Sequence, residues 1–247
     1  MSGTDDRIRA SADAAFDQFA GAYEAALDQG LSVSGEGRAF FAEGRIGWLR
    51  DRLTRLGRPA TKVLDFGCGT GASAPLLRDL LGADRVVGED VSRSSIEVAQ
   101  RDHGGPRIAF RHMDVDDPVD APDSLNAFDV AYCNGVFHHI PVDERPAAVR
   151  RVHAALRPGG VFALWENNPW NPGTRLVMRR IPFDRDAVLV WPAGARRLLR
   201  DAGFEIVCTR FLFVFPHALR GLRRMERWMS ALPIGAQYVV LARRPPR

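Results

Sequence analysis

The chain has 247 residues, of which 46% are hydrophobic and 26% are charged, a composition typical of one large globular domain or two small ones. No apolar run reaches the roughly 18 residues of a membrane span, and the first twenty residues lack the apolar centre of a signal peptide, so we expect a cytoplasmic protein. Three widely spaced cysteines do not form a disulfide framework and show no metal-ligand spacing, so no metal site is expected.

The net charge of +4 is unevenly distributed. Residues 1–150 carry 17 basic and 24 acidic side chains, whereas residues 151–247 carry 17 basic and only 6 acidic ones. This separation predicts that the C-terminal part faces something anionic, either a substrate, a lipid headgroup or nucleic acid.

In chain order, the first sixty residues have the apolar spacing of helices, and we predict an N-terminal helical cap at 1–60, broken at 34–37. From residue 62 onward, short apolar runs alternate with helix-like stretches, which indicates a parallel sheet covered on both faces. The predicted strands are 62–66, 85–90, 107–112, 128–133, 160–166, 205–215 and 236–242. The last two have no crossover unit between them and are predicted to pair antiparallel at the sheet edge. The fold class is therefore α/β: a doubly wound, mostly parallel, seven-stranded sheet in residues 61–247, with an antiparallel edge strand.

Two insertions, at about 167–192 and 216–233, interrupt this alternation. The first contains aromatic and cationic side chains suited to a substrate wall: Trp170, Arg175, Arg179, Arg180 and Trp191. In the second, residues 217–232 have the pattern of a basic amphipathic helix, with arginines on one side and Leu222, Met225, Trp228, Met229 and Leu232 on the other. Such a helix is either a solvated surface helix or a contact for membrane headgroups or an anionic substrate.

A glycine-rich turn, DFGCGTG at 65–71, directly follows the first strand. Glycines at such a turn let a ligand approach the backbone closely. Residues 67–72 also fit the dinucleotide pattern G-x-G-x-x-A. However, Asp65 at the strand end would repel a pyrophosphate and attract an aminoacyl ammonium, which favours S-adenosylmethionine over NAD.

The segment VLDFGCGTG at 63–71 resembles the first motif of the class I S-adenosylmethionine-dependent methyltransferases, and the resemblance extends from about residue 16 to 242. It implies a Rossmann-like methyltransferase fold and contacts of the cofactor with Asp65, Gly67, Cys68 and Gly69. Cys68 is interpreted as a packing residue. Arg45 resembles a helical basic residue that pairs with the cofactor carboxylate in related enzymes.

Further cofactor contacts follow from the same resemblance. Asp90, with Val91 after it, matches the residue that accepts hydrogen bonds from both ribose hydroxyls. Asp114 matches the acceptor for the adenine amine, with Met113 and Val115 flanking the ring. Each acid also has a simpler interpretation, because an aspartate after a strand often caps a helix or forms a turn.

The catalytic candidates follow the fourth and fifth strands. FDVAYCNGVFHHI at 128–140 resembles the family's fourth motif and places Asn134 beside the methionine end of the cofactor. A histidine just beyond it can accept a proton from an alcohol or phenol. Of the two, His138 is the first candidate for the base and His139 the second; His139 would act mainly on stability if it is the one that packs inward. Glu166 ends the fifth strand at the carboxyl edge of the sheet, where open α/β folds bind ligands; its alternative role is to hold loop backbone.

The resulting hypothesis is a methyltransferase for a small molecule or a lipid or glycan intermediate of bacterial secondary or envelope metabolism, with O-methylation favoured over N-methylation. The substrate is expected to be anionic or lipid-linked, and 217–232 is a candidate for peripheral membrane contact. An RNA or protein methyltransferase and a catalytically silent cofactor-binding subunit are the alternatives. Nucleic acid is not expected as a partner, because residues 134–137 read NGVF rather than the tetrad of amino-methylating DNA enzymes. The oligomeric state stays open.

Overall fold

A computed structural model describes residues 34–113, 126–181 and 187–246. The strands are β1 (Lys62–Phe66), β2 (Arg85–Asp90), β3 (Ile108–His112), β4 (Phe128–Asn134), β5 (Leu156–Asn167), β6 (Glu205–Leu212) and β7 (Gln237–Arg243). The helices are α1 (Arg38–Leu56), α2 (Ala74–Leu81), α3 (Arg93–His103), α4 (Arg145–Ala155), α5 (Pro172–Arg180), α6 (Pro192–Asp201) and α7 (Glu226–Met229), with a 3₁₀ helix over His217–Met225.

Within the described residues, seven strands form one sheet in the order β3-β2-β1-β4-β5-β7-β6. The neighbours from β3 to β5 pair in parallel, whereas β7 runs antiparallel to both β5 and β6. The predicted mostly parallel sheet with an antiparallel edge pair is confirmed. The chain order reverses between β1 and β4, which is where open α/β sheets bind ligands.

Helices cover both faces of the sheet, and this explains the almost continuous apolar runs of the central strands. In β1, Leu64 and Phe66 belong to one buried cluster, while Val63 belongs to the other. Helix α1 packs on the second face through buried Ile46 and Leu49. Successive side chains of a strand point to opposite faces, so each central strand contributes to two cores.

Only part of the predicted N-terminal cap falls within the described residues. Helix α1 begins at Arg38, directly after the predicted break at 34–37, and ends at Leu56 with Gly57 in the left-handed conformation. Residues 1–33 lie outside the described residues, so the cap at 1–60 stays a prediction.

The prediction of a single amphipathic helix over 217–232 is wrong. The segment forms the 3₁₀ helix and the four-residue α7, with a kink at Leu219. None of the residues in these two elements is buried. A short helix is marginal in water unless its apolar face packs on a core. Because no apolar side chain of this segment is buried, a single regular helix gains no such stabilisation. In the described part of the chain, no helix has the length and apolar character required to cross a membrane.

Candidate functional site

The glycine loop joins β1 to α2 in a conformation that only glycine adopts readily. Gly67 and Gly71 have φ of +70° and +80°, a region that side chains other than glycine rarely occupy. A Cβ on Gly67 would lie 2.4 Å from the Val136 side chain, and one on Gly71 would lie 2.6 Å from Phe110. The backbone of the loop therefore packs closely against its neighbours.

A cavity of about 870 Å³ opens at the carboxyl ends of β1 and β4. Eight of the predicted site residues line it: Arg45, Asp65, Gly67, Cys68, Gly69, Asn134, His138 and His139. The volume lies toward the upper end of ordinary ligand sites, so the cavity is large enough for more than one small ligand.

Two hydrogen-bond acceptors in this cavity lack partners. The Oδ2 atom of Asp65 and the Oδ1 atom of Asn134 are buried and accept no hydrogen bond from the described residues. Burial, followed by the negative charge of Asp90, raises the pKa of Asp65 to about 7, although the cation of Arg45 opposes this rise. A buried acceptor without a donor is costly. Both atoms thus fit a cationic donor such as the ammonium of an aminoacyl group.

Arg45 reaches the site from α1 and is held by two residues that the sequence analysis missed. Its Nε donates to the hydroxyl of Tyr132 at 2.9 Å, and its Nη1 donates to Oε1 of Gln237 at 2.9 Å. These partners lie 87 and 192 residues away in the chain. No local sequence pattern identifies such pairs, because they meet only when α1 packs across β4 and β7.

Asp90 lies outside the lining of this cavity and braces the glycine loop. One carboxylate oxygen accepts from the backbone N–H of Gly69 at 2.8 Å, and the other accepts from Ser92 at 2.9 Å. Burial raises the pKa of Asp90, while these two hydrogen bonds oppose the rise. A carboxylate oxygen accepts more than one hydrogen bond, so ribose binding by Asp90 stays a compatible prediction. Glu89, the adjacent acid, instead pairs with Arg111.

Of the remaining predicted adenosine contacts, two fall within the residues that the structure describes. Val91 and Met113 follow β2 and β3, and neither belongs to the cavity lining. The backbone N–H of Met113 donates to the carbonyl of Asp90 at 2.8 Å, which joins the ends of these two strands. Asp114 and Val115 lie outside the described residues, so their roles stay predictions.

His138 and Glu166 form a buried pair at the ends of β4 and β5. The Nδ1 atom of His138 lies 2.6 Å from Oε2 of Glu166, and Oε1 of Glu166 accepts from the backbone N–H of Phe137 at 2.9 Å. The His138 residue is only 4% exposed. His139 is partly buried, and its ring lies against that of His138 at an interplanar angle of 48° with centroids 4.1 Å apart. His138 rather than His139 is therefore the histidine that packs inward, because its pairing with Glu166 holds it inside, and the condition for a mainly structural role of His139 is not met.

The thiol of Cys68 is unsuited to nucleophilic chemistry. Burial and the nearby carboxylates of Asp65 and Asp90 raise its pKa well above the ordinary value, whereas reactive cysteines have lowered values. Its Sγ packs against Gly88, where an added Cβ would lie 2.8 Å away. This packing agrees with the interpretation from sequence.

Large apolar and aromatic side chains form a further part of the cavity lining, beside polar residues such as Glu36, Thr174 and Gln237: Phe40, Phe41, Leu76, Val177, Met178, Ile181, Phe213 and Phe215. The predicted substrate wall of Trp170, Trp191 and the arginines of α5 does not line the cavity. The two tryptophans are about half exposed and contact each other with centroids 5.5 Å apart. Helix α5 instead turns its apolar side to the cavity and its arginines to solvent.

Comparison with known proteins agrees with this geometry. A family model described as a methyltransferase domain matches residues 63–160. The ubiquinone biosynthesis O-methyltransferase of Methylobacterium nodulans is 30% identical over 222 residues, which cover 81% of this chain and 83% of that protein. Among solved structures, a chain from the complex of the Haloferax volcanii Trm112 methyltransferase activator has a TM-score of 0.63 at 20% identity, covering 93% of this chain and 97% of that one.

Two other relatives are much longer proteins. The chain spans 27% of one and 35% of the other, the latter being phosphoethanolamine N-methyltransferase 3 of Arabidopsis thaliana, which is 30% identical over 71% of this chain. The relative from Methylobacterium nodulans matches over most of both lengths. The chain thus belongs to the class I S-adenosylmethionine-dependent methyltransferases, and its cofactor is S-adenosylmethionine.

Proposed function

We propose that the chain methylates a hydroxyl group on a small acceptor with a largely apolar or aromatic body. The observation that carries this proposal is the buried pair of His138 and Glu166 beside the cavity. An alcohol or phenol must lose its proton during methyl transfer, whereas an amine only has to arrive unprotonated. A histidine held by a carboxylate is suited to accept that proton.

The geometry of the pair supports distinct roles for the two ring nitrogens, because a carboxylate accepts a hydrogen bond and cannot donate one. Glu166 Oε2 accepts from Nδ1–H of His138, so the neutral tautomer presents Nε2 as the basic atom. When the proton is transferred, the Glu166 carboxylate stabilises the resulting imidazolium, as in other carboxylate–histidine pairs. The backbone N–H of Phe137 holds the second oxygen of Glu166 and thereby fixes its orientation.

The two unpartnered acceptors, Asp65 Oδ2 and Asn134 Oδ1, are proposed to hold the ammonium of S-adenosylmethionine, and Arg45 its carboxylate. The cofactor supplies an electrophilic methyl group on its sulfonium. The protein positions acceptor and cofactor, keeps water out and takes up the proton. Phe40, Phe213 and the other apolar lining residues support an acceptor with an apolar body, because apolar walls stabilise apolar ligands.

The test measures radiolabelled methyl transfer from S-adenosylmethionine to separate pools of hydroxylated small molecules, amines, lipids, RNA and protein. We expect incorporation into the hydroxylated small-molecule or lipid pool. Incorporation only into amines would contradict O-methylation. Incorporation into RNA or protein would favour the corresponding alternative, and cofactor binding without transfer to any pool would favour a catalytically silent subunit.

The role of the base is tested with His138→Ala. We expect kcat to fall by about 10² to 10⁴-fold with little change in cofactor affinity, and the acidic limb of the pH–rate profile to disappear. Glu166→Gln should lower kcat less and shift that limb, because the histidine loses its charged partner. His153→Ala is the matched control: this histidine packs on Phe204 away from the cavity. If His138→Ala kept its turnover and pH profile, the histidine base would be refuted.

A further inference from the structure

Residues 216–234 expose an unusual amount of apolar surface, and we call them the basic-apolar segment. Six large apolar side chains of this segment are each at least 40% exposed: Leu219, Leu222, Met225, Trp228, Leu232 and Ile234. Trp228, at 69%, is the most exposed large apolar side chain in the described residues. Single exposed apolar residues are ordinary, but a cluster of this size marks an interaction surface.

Arginines are interleaved with these apolar side chains. Arg220, Arg224 and Arg227 are exposed, and the guanidinium of Arg227 lies 4.2 Å from the centroid of the Trp228 ring. The acid of the segment, Glu226, accepts from the backbone N–H of Phe215 at 2.9 Å and so braces the segment itself. The outer surface is therefore cationic as well as apolar.

Helix α5 extends the same kind of surface. It carries three exposed arginines, Arg175, Arg179 and Arg180, and no acid. Its N-terminal end is tied to the end of the basic-apolar segment, because Asn171 Nδ2 donates to the Ile234 carbonyl at 2.8 Å. Both elements also bound the cavity, α5 through its apolar side and the basic-apolar segment through its first residue, Pro216, and the adjoining residues 213–215.

We propose that the basic-apolar segment and α5 bind the surface of an anionic lipid bilayer. Such a surface offers anionic headgroups to the arginines and an acyl boundary to the apolar side chains, and tryptophan is favoured at that boundary. A symmetric contact between two copies of the chain would instead bring two arginine-rich surfaces together, which electrostatic repulsion disfavours. Docking would place the cavity beside the bilayer. The proposed membrane contact does not depend on which acceptor is methylated.

The experiment measures binding of the full chain to phosphatidylcholine vesicles with and without phosphatidylglycerol, by cosedimentation at low and high salt. We expect binding only to vesicles that contain phosphatidylglycerol, and we expect salt to weaken this binding.

The test variant combines Arg220→Gln, Arg224→Gln and Arg227→Gln. Its affinity should fall on the order of 100-fold, since each arginine near an anionic surface contributes about a factor of five. Trp228→Ala should lower affinity on the order of tenfold by removing apolar area.

The control variant makes the same change in charge at exposed arginines elsewhere: Arg50→Gln, Arg101→Gln and Arg197→Gln. We expect it to bind as the wild type does, within about twofold. All variants should unfold at the temperature of the wild type, because the replaced side chains are exposed. Equal losses in both triple variants would mean that net charge alone attracts the protein, and the proposal would fail. Absence of binding to anionic vesicles would overturn it too, and a concentration-dependent dimer abolished by Trp228→Ala would assign the face to a second copy.

Discussion

The buried carboxyl of Asp65 opposes folding and is proposed to hold the ammonium of the cofactor, and Asp65→Asn separates these two effects. Its carboxyl is buried, Oδ2 has no donor among the described residues, and its pKa rises from 3.8 to about 7. A group whose pKa is raised on folding favours the folded state at low pH. That contribution is lost as the pH rises from the unfolded to the folded pKa. The free wild-type protein should therefore lose stability between about pH 4 and pH 7 through this group.

The rise in the pKa of Asp65 sets the size of the effect. Relative to a residue that does not titrate, the raised pKa of Asp65 lowers the free energy of unfolding by about 2 kcal/mol at pH 5, where only the unfolded chain is ionised, and by about 4 kcal/mol at pH 8. In Asp65→Asn this cost disappears, although the introduced amide has its own desolvation cost of about 1–3 kcal/mol at every pH. The difference in unfolding free energy between variant and wild type should thus shift in favour of the variant by about 2 kcal/mol from pH 5 to pH 8.

Urea unfolding of the cofactor-free wild type and Asp65→Asn at these two pH values measures that shift. Calorimetry then provides the second readout: the variant should bind S-adenosylmethionine about 10- to 100-fold more weakly, because a charged acceptor for the ammonium is lost. Wild-type affinity should also fall about tenfold per unit below pH 7, with a flatter dependence in the variant. A stability difference that is the same at both pH values would refute the argument that Asp65 carries a raised pKa.

Two further changes test how the site is braced. Asp90→Ala should weaken cofactor binding by about 1–3 kcal/mol in calorimetry, because it removes both the predicted ribose acceptor and the hydrogen bond to Gly69; an unchanged dissociation constant in a folded variant would contradict this. Tyr132→Phe removes the acceptor for Arg45 Nε, and should cost about 1 kcal/mol of stability together with a several-fold loss of cofactor affinity. If affinity stayed constant while stability fell, Arg45 would not depend on Tyr132 for its position in the site.

Much of the fold could be predicted from local patterns in the sequence. The apolar runs from Lys62 to Asn134 identify β1, β2, β3 and β4 almost to the residue, because strands buried on both faces require continuous apolar residues. The glycine loop was equally evident, since backbone geometry at Gly67 and Gly71 excludes other side chains. The predicted substrate wall in the segment 167–192 was wrong in orientation, because composition does not indicate which side of α5 faces the cavity.

The sequence by itself determined the fold class, the cofactor and the edge of the sheet at which the site lies, because each depends on residues close together in the chain. Tertiary structure decided which distant side chains meet: Arg45 with Tyr132 and Gln237, and His138 with Glu166. It also decided that His138 rather than His139 is the buried histidine. Two adjacent histidines after a strand have the same local sequence environment, so the sequence does not indicate which one is buried. The two differ only in that the carboxylate of Glu166, at the end of β5, pairs with His138.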